Sequence, residues 1–366
     1  MIKVGVLYGG RSGEHDVSKC SAASVVSYLD RSKFEVTAIG IDCDGRWYVQ
    51  DLPEIIEDKA FGKVLALKKS GNWLVNHFQR DGKLYLYNTE SGKEVSVDVV
   101  FPVVHGTFCE DGTLQGLLEL AMVPYAGADV AGSAVGMDKD IAKRLLRDAG
   151  VPVVPWVKYG KDEWTGFPER LIEEICSRFQ FPIFVKPCSA GSSVGITKVK
   201  DKESIAAAMN EAFSWDTALL VEEGINAREI EFSVLGNDNP AVSLPGEIKP
   251  KHEFYSYEAK YLDSEGAELI IPADMDSETA SDMAQSAVKA YRALNCSGMA
   301  RIDFFIDILT GKYYLNEINT IPGFTSISMY PKLWERSGLN YTALLEKLID
   351  FAIERRNKKN MLRTEF

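Results

Sequence analysis

Apolar runs that end in glycine turns and lead into amphipathic stretches recur along this chain. Residues 2–8 are almost all apolar, as expected of a strand buried on both faces, and glycines connect them to an amphipathic stretch at residues 17–29. A strand, a glycine turn and a helix in this order begin an α/β domain. The same pattern predicts strands at residues 34–41, 97–104, 182–187, 196–200 and 218–221, and helices at residues 114–121, 137–149, 276–294 and 341–356.

Two stretches depart from this alternation. Between residues 42 and 97, short aromatic runs separated by turn residues predict a small β meander inserted in the first domain. Residues 246–271 are long, polar and aromatic, which suggests a lid or binding loop, and they include Tyr261 and Lys260. Ser277 is a candidate cap for the helix that follows.

Residues 298–328 predict a β-hairpin with strands at 301–306 and 313–319 around a threonine-glycine turn. Symmetry about Thr310 would bring Asp303 opposite Glu317 and Arg301 opposite Asn319.

Side chains two apart on a strand share a face, so two carboxylates, an amide and a guanidinium gather on one side of this hairpin. The alternative is a solvated polar surface, but the apolar flanks argue against it. Adjacent buried carboxylates repel unless a cation neutralises them, and Asp, Glu and Asn oxygens suit Mg²⁺. The hairpin therefore predicts a metal site that works with phosphates.

Other polar residues follow strand ends. Glu14 and Ser18 follow the first strand and His105 follows the strand at 97–104, at the edge where open parallel sheets bind ligands. The glycines before Glu14 do not match a dinucleotide fingerprint, and they could equally form only a tight turn.

The middle of the chain carries candidate nucleotide contacts. Lys186 ends a strand just before a small-residue loop at 188–195, whose backbone N–H groups could cover phosphates; the alternative is a flexible hairpin tip. Lys139, in the first turn of a helix, could reach the same anion or be solvated. Glu222, Glu223, Glu229 and Glu231 could accept hydrogen bonds from ribose or adenine, or simply be surface residues.

Composition narrows the classes of protein to which this chain could belong. A length of 366 residues suggests two or three domains, and the net charge of −12 disfavours nucleic acid or an anionic membrane as the main partner. The six cysteines form no CxxC pair and the four histidines no HExxH motif, so we expect neither disulfides nor zinc. With no long apolar span, a cytoplasmic location is expected.

Eight motifs, taken in order, resemble the D-alanine–D-alanine ligase family of the ATP-grasp superfamily over nearly the whole chain. They are GGRSGEHDVS, HGTFCEDGTLQG, GMDKDIAK, FVKPCSAGSSVGITKV, LLVEEGINAREIEFSVLG, FYSYEAKYL, ARIDFF and LNEINTIPGFTSIS. The resemblance implies three α/β domains: a preATP-grasp (Rossmann-like) domain at 1–135 with a small β insertion, and ATP-grasp subdomains at 136–225 and 226–366, the last with the lid and the metal site. ATP would bind between the sheets of the last two.

The resemblance also implies roles for individual residues. Asp303, Glu317 and Asn319 would hold two Mg²⁺ or Mn²⁺ ions. ATP would be bound by Lys139, Phe184, Lys186, Ser193, Glu222, Glu223, Ile225 and Glu231, with Glu229 a weaker candidate for the ribose. The first D-alanine would be bound by Glu14, Ser18 and His105, and the second by Ser328, Lys260 and Met329. Arg301 and the Gly323 N–H would stabilise the oxyanion, and Tyr261 would close the lid with Ser192 and Glu14.

The implied activity is ATP-dependent joining of two D-alanine molecules through a D-alanyl phosphate, for peptidoglycan synthesis, by a cytoplasmic homodimer. Three alternatives stay open: another ATP-grasp ligase, a ligase that takes D-lactate or D-serine second, and an ATP-binding sensor without activity. Tyr257, Lys260 and Tyr261 are kept, which argues against the lactate type, and Arg301 and the metal ligands are kept, which argues against the sensor. Ala190 and Ile327 depart from some relatives, and neither is a proposed ligand.

Overall fold

A computed structural model describes residues 1–59, 62–76, 82–191, 193–250 and 267–363. Three main sheets follow one another along the chain, each covered by helices. No helix within these residues is long and apolar enough to cross a membrane.

The N-terminal sheet has the order β3-β2-β1-β9, in which β1 runs parallel to both β2 and β9 and the edge strand β3 runs antiparallel. Two small antiparallel sheets, β4-β5 and β6-β7-β8, form the insertion. The elements are β1 Ile2–Gly9, α1 His15–Tyr28, β2 Phe34–Ile41, β3 Trp47–Gln50, α2 Leu52–Ile55, β4 Ile56–Lys59, β5 Gly62–Leu65, β6 Trp73–Asn76, β7 Leu84–Asn88, β8 Glu94–Val97, β9 Val99–Pro102, α3 Thr113–Leu120 and α4 Val130–Met137.

The central sheet is antiparallel, with the order β10-β13-β11-β12. Helices α7 and α8 pack on one face of it around Leu171, Ile175 and Met209. The elements are α5 Lys139–Asp148, β10 Trp156–Gly160, α6 Lys161–Gly166, α7 Pro168–Arg178, β11 Ile183–Pro187, β12 Thr197–Val199, α8 Ile205–Trp215 and β13 Ala218–Glu223.

The C-terminal sheet has the order β17-β16-β14-β18-β19, with the short strand β15 beside β14. Helix α9 packs on its apolar face against Phe232 and Phe304. The elements are β14 Ala227–Gly236, β15 Ala241–Val242, β16 Gly246–Pro250, β17 Ala267–Ile270, α9 Ser277–Ala293, β18 Gly298–Asp307, β19 Tyr313–Asn319, α10 Met329–Arg336 and α11 Tyr341–Asn360.

The last helix, α11, returns to the N-terminal domain. Leu344, Leu345 and Leu348 share one core with Val4 and Val26. The boundaries predicted at residues 135 and 225 therefore describe the order of the sheets along the chain, whereas the N-terminal core includes residues from the far end.

Several predicted elements were wrong in detail. The apolar run 97–104 is two strands, β8 and β9, in different sheets, because the backbone N–H and carboxylate of Asp98 bond to Lys3 and break the run. The helix predicted at 137–149 is α5, which begins two residues later, at Lys139, since Asp138 caps it by accepting from the Asp140 and Ile141 N–H groups. Asp276, not Ser277, caps α9 through the Thr279 N–H.

Two other predictions need adjustment. The last helix continues to Asn360 instead of ending at residue 356. The first run of the expected meander, β3, joins the main N-terminal sheet by pairing with β2. Residues 251–266, which carry most of the expected lid, lie outside the described part of the chain.

Candidate active site

One cavity of about 660 Å³ collects most of the predicted site residues from all three domains. The predicted residues that line it are Glu14, His105, Lys139, Phe184, Lys186, Ser193, Glu222, Glu223, Ile225, Glu229, Glu231, Arg301, Asp303, Glu317, Asn319, Gly323, Ser328 and Met329. Ser192, Lys260 and Tyr261 lie outside the described residues.

Three carboxylates form a row across the C-terminal sheet. Strand β18 pairs with β14 and with β19, so that Asp303 lies opposite Glu231 on one side and opposite Glu317 on the other. Opposed Cβ atoms in such pairs are roughly 5 Å apart. The two pairs predicted from the sequence, Asp303 with Glu317 and Arg301 with Asn319, are confirmed, whereas the register nearer the turn differs by one residue.

A β-bulge sets this register. Near the turn the strands pair as Ile306 with Tyr313 and Phe304 with Leu315, but Asp303 pairs with Glu317, which leaves Asn316 as an extra residue. Without the bulge, the carboxylates of Asp303 and Glu317 would not lie directly opposite each other. Asn316 itself lines the cavity, and nothing in the sequence pattern announced it.

Arg301 partly neutralises the row. Its Nε and Nη2 donate to the two carboxylate oxygens of Asp303 at 2.8 and 2.7 Å, and its Nε lies 2.9 Å from Glu231. The Asn319 amide donates to Asp303 at 3.0 Å.

The row retains an excess of negative charge and of hard oxygen donors, which fits Mg²⁺ or Mn²⁺. Asp303, Glu317 and Asn319 are the donors that this arrangement offers to such an ion. A cation there would compete with Arg301 for the Asp303 carboxylate.

The opposite wall, from the central sheet and α5, is cationic. Glu222 is buried between two lysines: its Oε2 lies 2.9 Å from Lys143 Nζ, and its Oε1 contacts Lys186. Burial acts to raise the pKa of Glu222, but the two ammonium groups outweigh it and lower that pKa to about 2. Lys139 donates to the Ala190 carbonyl at 2.6 Å. Burial lowers the pKa of Lys139, and the negative charge of Glu317 partly opposes this effect.

The central sheet arranges these groups on one face. Phe184 pairs with Glu222 in the ladder, and Lys186 is two residues further along the same strand, with its ammonium 5.6 Å from the Phe184 ring centroid. Glu223 and Ile225 continue the lining where β13 ends. The cavity therefore has an aromatic ring, an amine and a carboxylate side by side on this wall.

Glu14 bridges the N-terminal domain and the loop after β11. A Cβ at Gly106 would lie 2.8 Å from Glu14 Oε2, and a Cβ at Gly191 would lie 2.9 Å from the same atom. Gly106 also has a φ of +76°, which favours glycine. Glycine at both positions is what allows this close approach of the carboxylate.

Ser18 does not line the cavity. Its buried hydroxyl accepts from the Gly9 N–H at 2.7 Å and donates to the Val103 carbonyl at 2.6 Å. This hydroxyl therefore fastens the ends of two strand segments to each other.

His105 faces the segment after β19. Its Nδ1 is 3.1 Å from the Ile321 carbonyl and its Nε2 is 3.4 Å from Ser21 Oγ, and burial lowers the pKa of its imidazole. Glu110 beside it accepts from the Gly106 and Ile321 N–H groups at 2.8 and 3.3 Å. Burial and the nearby Glu14 raise the pKa of Glu110 to about 8.

Ser328 and Met329 line the other end of the cavity, where α10 begins. Ser328 Oγ accepts from the Thr325 N–H at 3.0 Å, and a Cβ at Gly323 would lie 2.9 Å from that oxygen. Gly323 thus permits the close packing of Ser328 against the segment that precedes it.

Sequence reasoning gave no role to Lys143 or Glu110. Lys143 is four residues after Lys139 on the same helix, so their shared face was a signal that helical spacing could have provided. Glu110 stood within a quoted motif, but its partner Ile321 is 211 residues away, and no local pattern indicates such a contact.

Comparisons with known proteins agree over the whole chain. Residues 3–128 match the family model "D-ala D-ala ligase N-terminus" and residues 145–350 match "D-ala D-ala ligase C-terminus". The chain is 47% identical over 365 residues to D-alanine–D-alanine ligase A of Bradyrhizobium diazoefficiens, covering 99% of this chain and 97% of that one. It is 44% identical to D-alanine–D-alanine ligase A of Escherichia coli K12, covering 99% of each.

Solved structures give the same result. The D-alanine-D-alanine ligase from Coxiella burnetii superposes with a TM-score of 0.81 at 39% identity, covering 98% of this chain and 96% of that one. The VanG D-Ala:D-Ser ligase from Enterococcus faecalis superposes with a TM-score of 0.82 at 36% identity, covering 96% and 99%. These similarities establish that the chain belongs to the D-alanine–D-alanine ligase family, with the ATP-grasp fold.

Proposed function

We propose that this protein uses ATP to join two D-alanine molecules into D-alanyl-D-alanine, a peptidoglycan precursor, through a D-alanyl phosphate. Membership of the family supports this activity. The observation that carries it here is the single cavity in which a cationic wall faces a row of carboxylates. Such a cavity suits a nucleotide whose phosphates contact ammonium groups on one side and metal ions on the other.

The nucleotide would lie along the central sheet. Lys139 and Lys186 would contact its phosphates, and Ser193 would contribute to the loop over them. Phe184 would pack against the adenine, with Glu222, Glu223 and Ile225 along its edge. Glu231 or Glu229 would accept from the ribose, since both line the cavity.

Asp303, Glu317 and Asn319 would hold two Mg²⁺ or Mn²⁺ ions. Bound there, the ions would polarise the γ-phosphate and reduce its repulsion of an incoming carboxylate. Arg301, which donates to Asp303, lies on the same strand and would face the reacting carboxyl group.

Two displacements make up the reaction. A carboxylate oxygen of the first D-alanine, whose amino group Glu14 holds, attacks the γ-phosphorus, and ADP leaves. The amine of the second D-alanine attacks the acyl carbon, loses a proton, and inorganic phosphate leaves. Arg301 and the Gly323 N–H stabilise the oxyanion between these bond changes.

The second D-alanine would sit beside Ser328 and Met329, with Lys260 as a further carboxylate ligand. Ser192 and Tyr261 would close the site against water, because an acyl phosphate hydrolyses readily. A homodimer and a cytoplasmic location remain expectations; the use of ATP agrees with the latter.

Product analysis tests this proposal. Protein, ATP and Mg²⁺ are mixed with D-alanine alone, then with D-alanine plus D-serine or D-lactate, and the products are identified by mass. We expect D-alanyl-D-alanine and stoichiometric ADP. Absence of D-alanine-dependent phosphate release would refute the proposal, and a D-alanyl-D-serine product would favour the activity named for the similar Enterococcus structure.

A further inference from the structure

Side chains of the N-terminal domain surround residues 321–324, which contain the proposed oxyanion donor; we refer to these residues as the 321–324 segment. Ile321 and Phe324, at its two ends, are 2% and 0% exposed. Between them are Pro322, which has no N–H, and Gly323. Among the described residues, none accepts a hydrogen bond from the Gly323 N–H, which lines the cavity.

At Ile321, the first residue of the 321–324 segment, a hydrogen bond identifies the tautomer of His105. The Ile321 carbonyl can only accept, so the imidazole Nδ1 at 3.1 Å must carry the proton. Burial lowers the pKa of this imidazole, in agreement with a neutral ring whose Nε2 is an acceptor. Ser21 Oγ, 3.4 Å from Nε2, is therefore the donor in that contact.

The same serine reaches the second end. Ser21 Oγ accepts from the Phe324 N–H at 3.3 Å while its own proton points to His105. The bonds thus form a closed circuit from Phe324 through Ser21 and His105 back to Ile321. Glu110 holds the Ile321 N–H with one oxygen and the Gly106 N–H with the other.

Packing fixes the ring of Phe324. It contacts Phe101 edge-on with ring centroids 5.6 Å apart, and Tyr330 at 5.5 Å. The hydroxyl of Tyr341, on α11, donates to the Phe324 carbonyl. The 321–324 segment is therefore held from both sides. Its two fixed ends, Ile321 and Phe324, set the direction of the Gly323 N–H between them.

We propose that Ser21, His105 and Glu110 are positioning residues that hold the 321–324 segment so that the Gly323 N–H points at the tetrahedral intermediate. This inference rests on the proposed function and extends it to residues that act through the 321–324 segment. It also gives His105 the role of holding the 321–324 segment, in place of the binding of the first D-alanine that the family resemblance implies. A donor must be held close to its optimum, because a displacement of about 1 Å can cost about 10²-fold in rate.

Rapid-quench single turnovers test the circuit, because ADP forms in the first displacement and the dipeptide in the second. In Ser21→Ala we expect dipeptide formation to slow by about 10²-fold while ADP formation stays within about threefold of wild type. The control is Ser133→Ala, another fully buried serine, which donates to the Ala128 carbonyl away from the cavity. Equal slowing of both steps, or the same result in both variants, would overturn the proposal.

If the Ser21→Ala protein fails to fold, a second pair of variants, at His105, tests the same proposal. An asparagine amide can present its N–H near the position of Nδ1, so His105→Asn should keep the bond to Ile321 that His105→Ala loses. We expect His105→Asn to form the dipeptide at least about tenfold faster than His105→Ala. Equal rates would overturn the proposal. A wild-type protein that formed neither ADP nor dipeptide would refute the proposed function, and the positioning role with it.

Discussion

The two walls of the cavity have opposite charge and different burial. On the central wall, Lys139, Lys186 and Glu222 line the cavity, and Lys143, which does not line it, is buried against Glu222. On the C-terminal wall, the three carboxylates Glu231, Asp303 and Glu317 form a row, and Arg301 contacts two of them. A phosphate can contact the first wall directly, but it can meet the second only through cations. We therefore expect the phosphates of one nucleotide to be bound in two ways, by ammonium groups on the first wall and through cations on the second.

The two walls also differ in how deeply their charged side chains are buried. The side chains of Lys143 and Glu222 are 3% and 2% exposed, whereas those of Arg301 and Asp303 are 19% and 14% exposed. Leaving one partner of a deeply buried pair alone is costly, because the remaining charge cannot reach water. We therefore expect changes to the central wall to lower stability and changes to the C-terminal wall to lower activity.

The largest effect is expected from Glu317→Gln, which keeps the shape of the side chain and removes its charge. Loss of this proposed metal ligand should lower kcat by about 10³-fold, since transition-state charge would lose its compensation. The melting temperature should change by less than about 2 °C. Steady-state ADP release and thermal unfolding measure the two quantities.

Glu173→Gln, at an exposed position on α7, is the matched control and should leave both quantities unchanged. Activity that survives largely intact in Glu317→Gln would show that the metal site is elsewhere. A large fall in melting temperature would contradict the contrast between the walls.

Next in size is the effect of Lys143→Met on stability. Glu222 would keep Lys186 but lose its other buried partner, which should lower the free energy of unfolding by about 3 kcal/mol. Urea denaturation at neutral pH measures this loss. Lys347→Met, at an exposed position on α11, is the control and should change it by less than about 0.5 kcal/mol.

The difference between wild type and Lys143→Met should depend on pH. The pKa of Glu222 falls from 4.5 to about 2 on folding, so its contribution is complete above pH 4.5 and disappears as the pH falls through about 2. The two proteins should therefore converge in stability over that interval. A difference that stayed constant would mean that the lost stability came from packing and not from the ion pair.

Arg301→Lys should have the smallest of the three effects. Lysine keeps the positive charge but cannot form the paired bonds to Asp303 together with the contact to Glu231. We expect kcat to fall by about 30-fold, equivalent to about 2 kcal/mol, with KM values within about threefold.

Arg228 offers the matched control for Arg301, since it makes paired bonds of 2.9 and 2.7 Å to Glu247 in the same sheet but does not line the cavity. Arg228→Lys should leave kcat within about twofold of wild type. Equal losses in the two variants would indicate that paired arginine bonds support the sheet and not the reaction.

The local sequence pattern predicted the structure correctly where residues close together in the chain determine it. The run at residues 2–8 became β1, since a strand buried on both faces needs continuous apolar residues, and the stretch at 34–41 became β2 beside it. The hairpin of β18 and β19 has the predicted pairs at Asp303 and Arg301, although a bulge that the sequence pattern did not predict brings these residues into register. The family was predicted correctly from the order of its motifs.

Local pattern failed where one polar residue interrupts an apolar run. Asp98 separates Val97, in β8, from β9 in another sheet, and Asp138 moves the start of the helix predicted at residue 137 to Lys139. In both cases a side-chain oxygen captures backbone N–H groups, and that competition is invisible to a count of apolar positions.

By itself, the sequence determined most of the strands, the glycine turns, the charges available to the cavity and the two strands of the hairpin that carries Asp303 and Glu317. Only the tertiary structure decided that Asn316 bulges, that Lys143 shares Glu222 with Lys186, and that α11 completes the N-terminal core. It also decided that Ser21 meets Phe324 across 303 residues of chain. The physical reason is that periodicity fixes which face a residue occupies, whereas contacts between distant segments depend on how those faces pack.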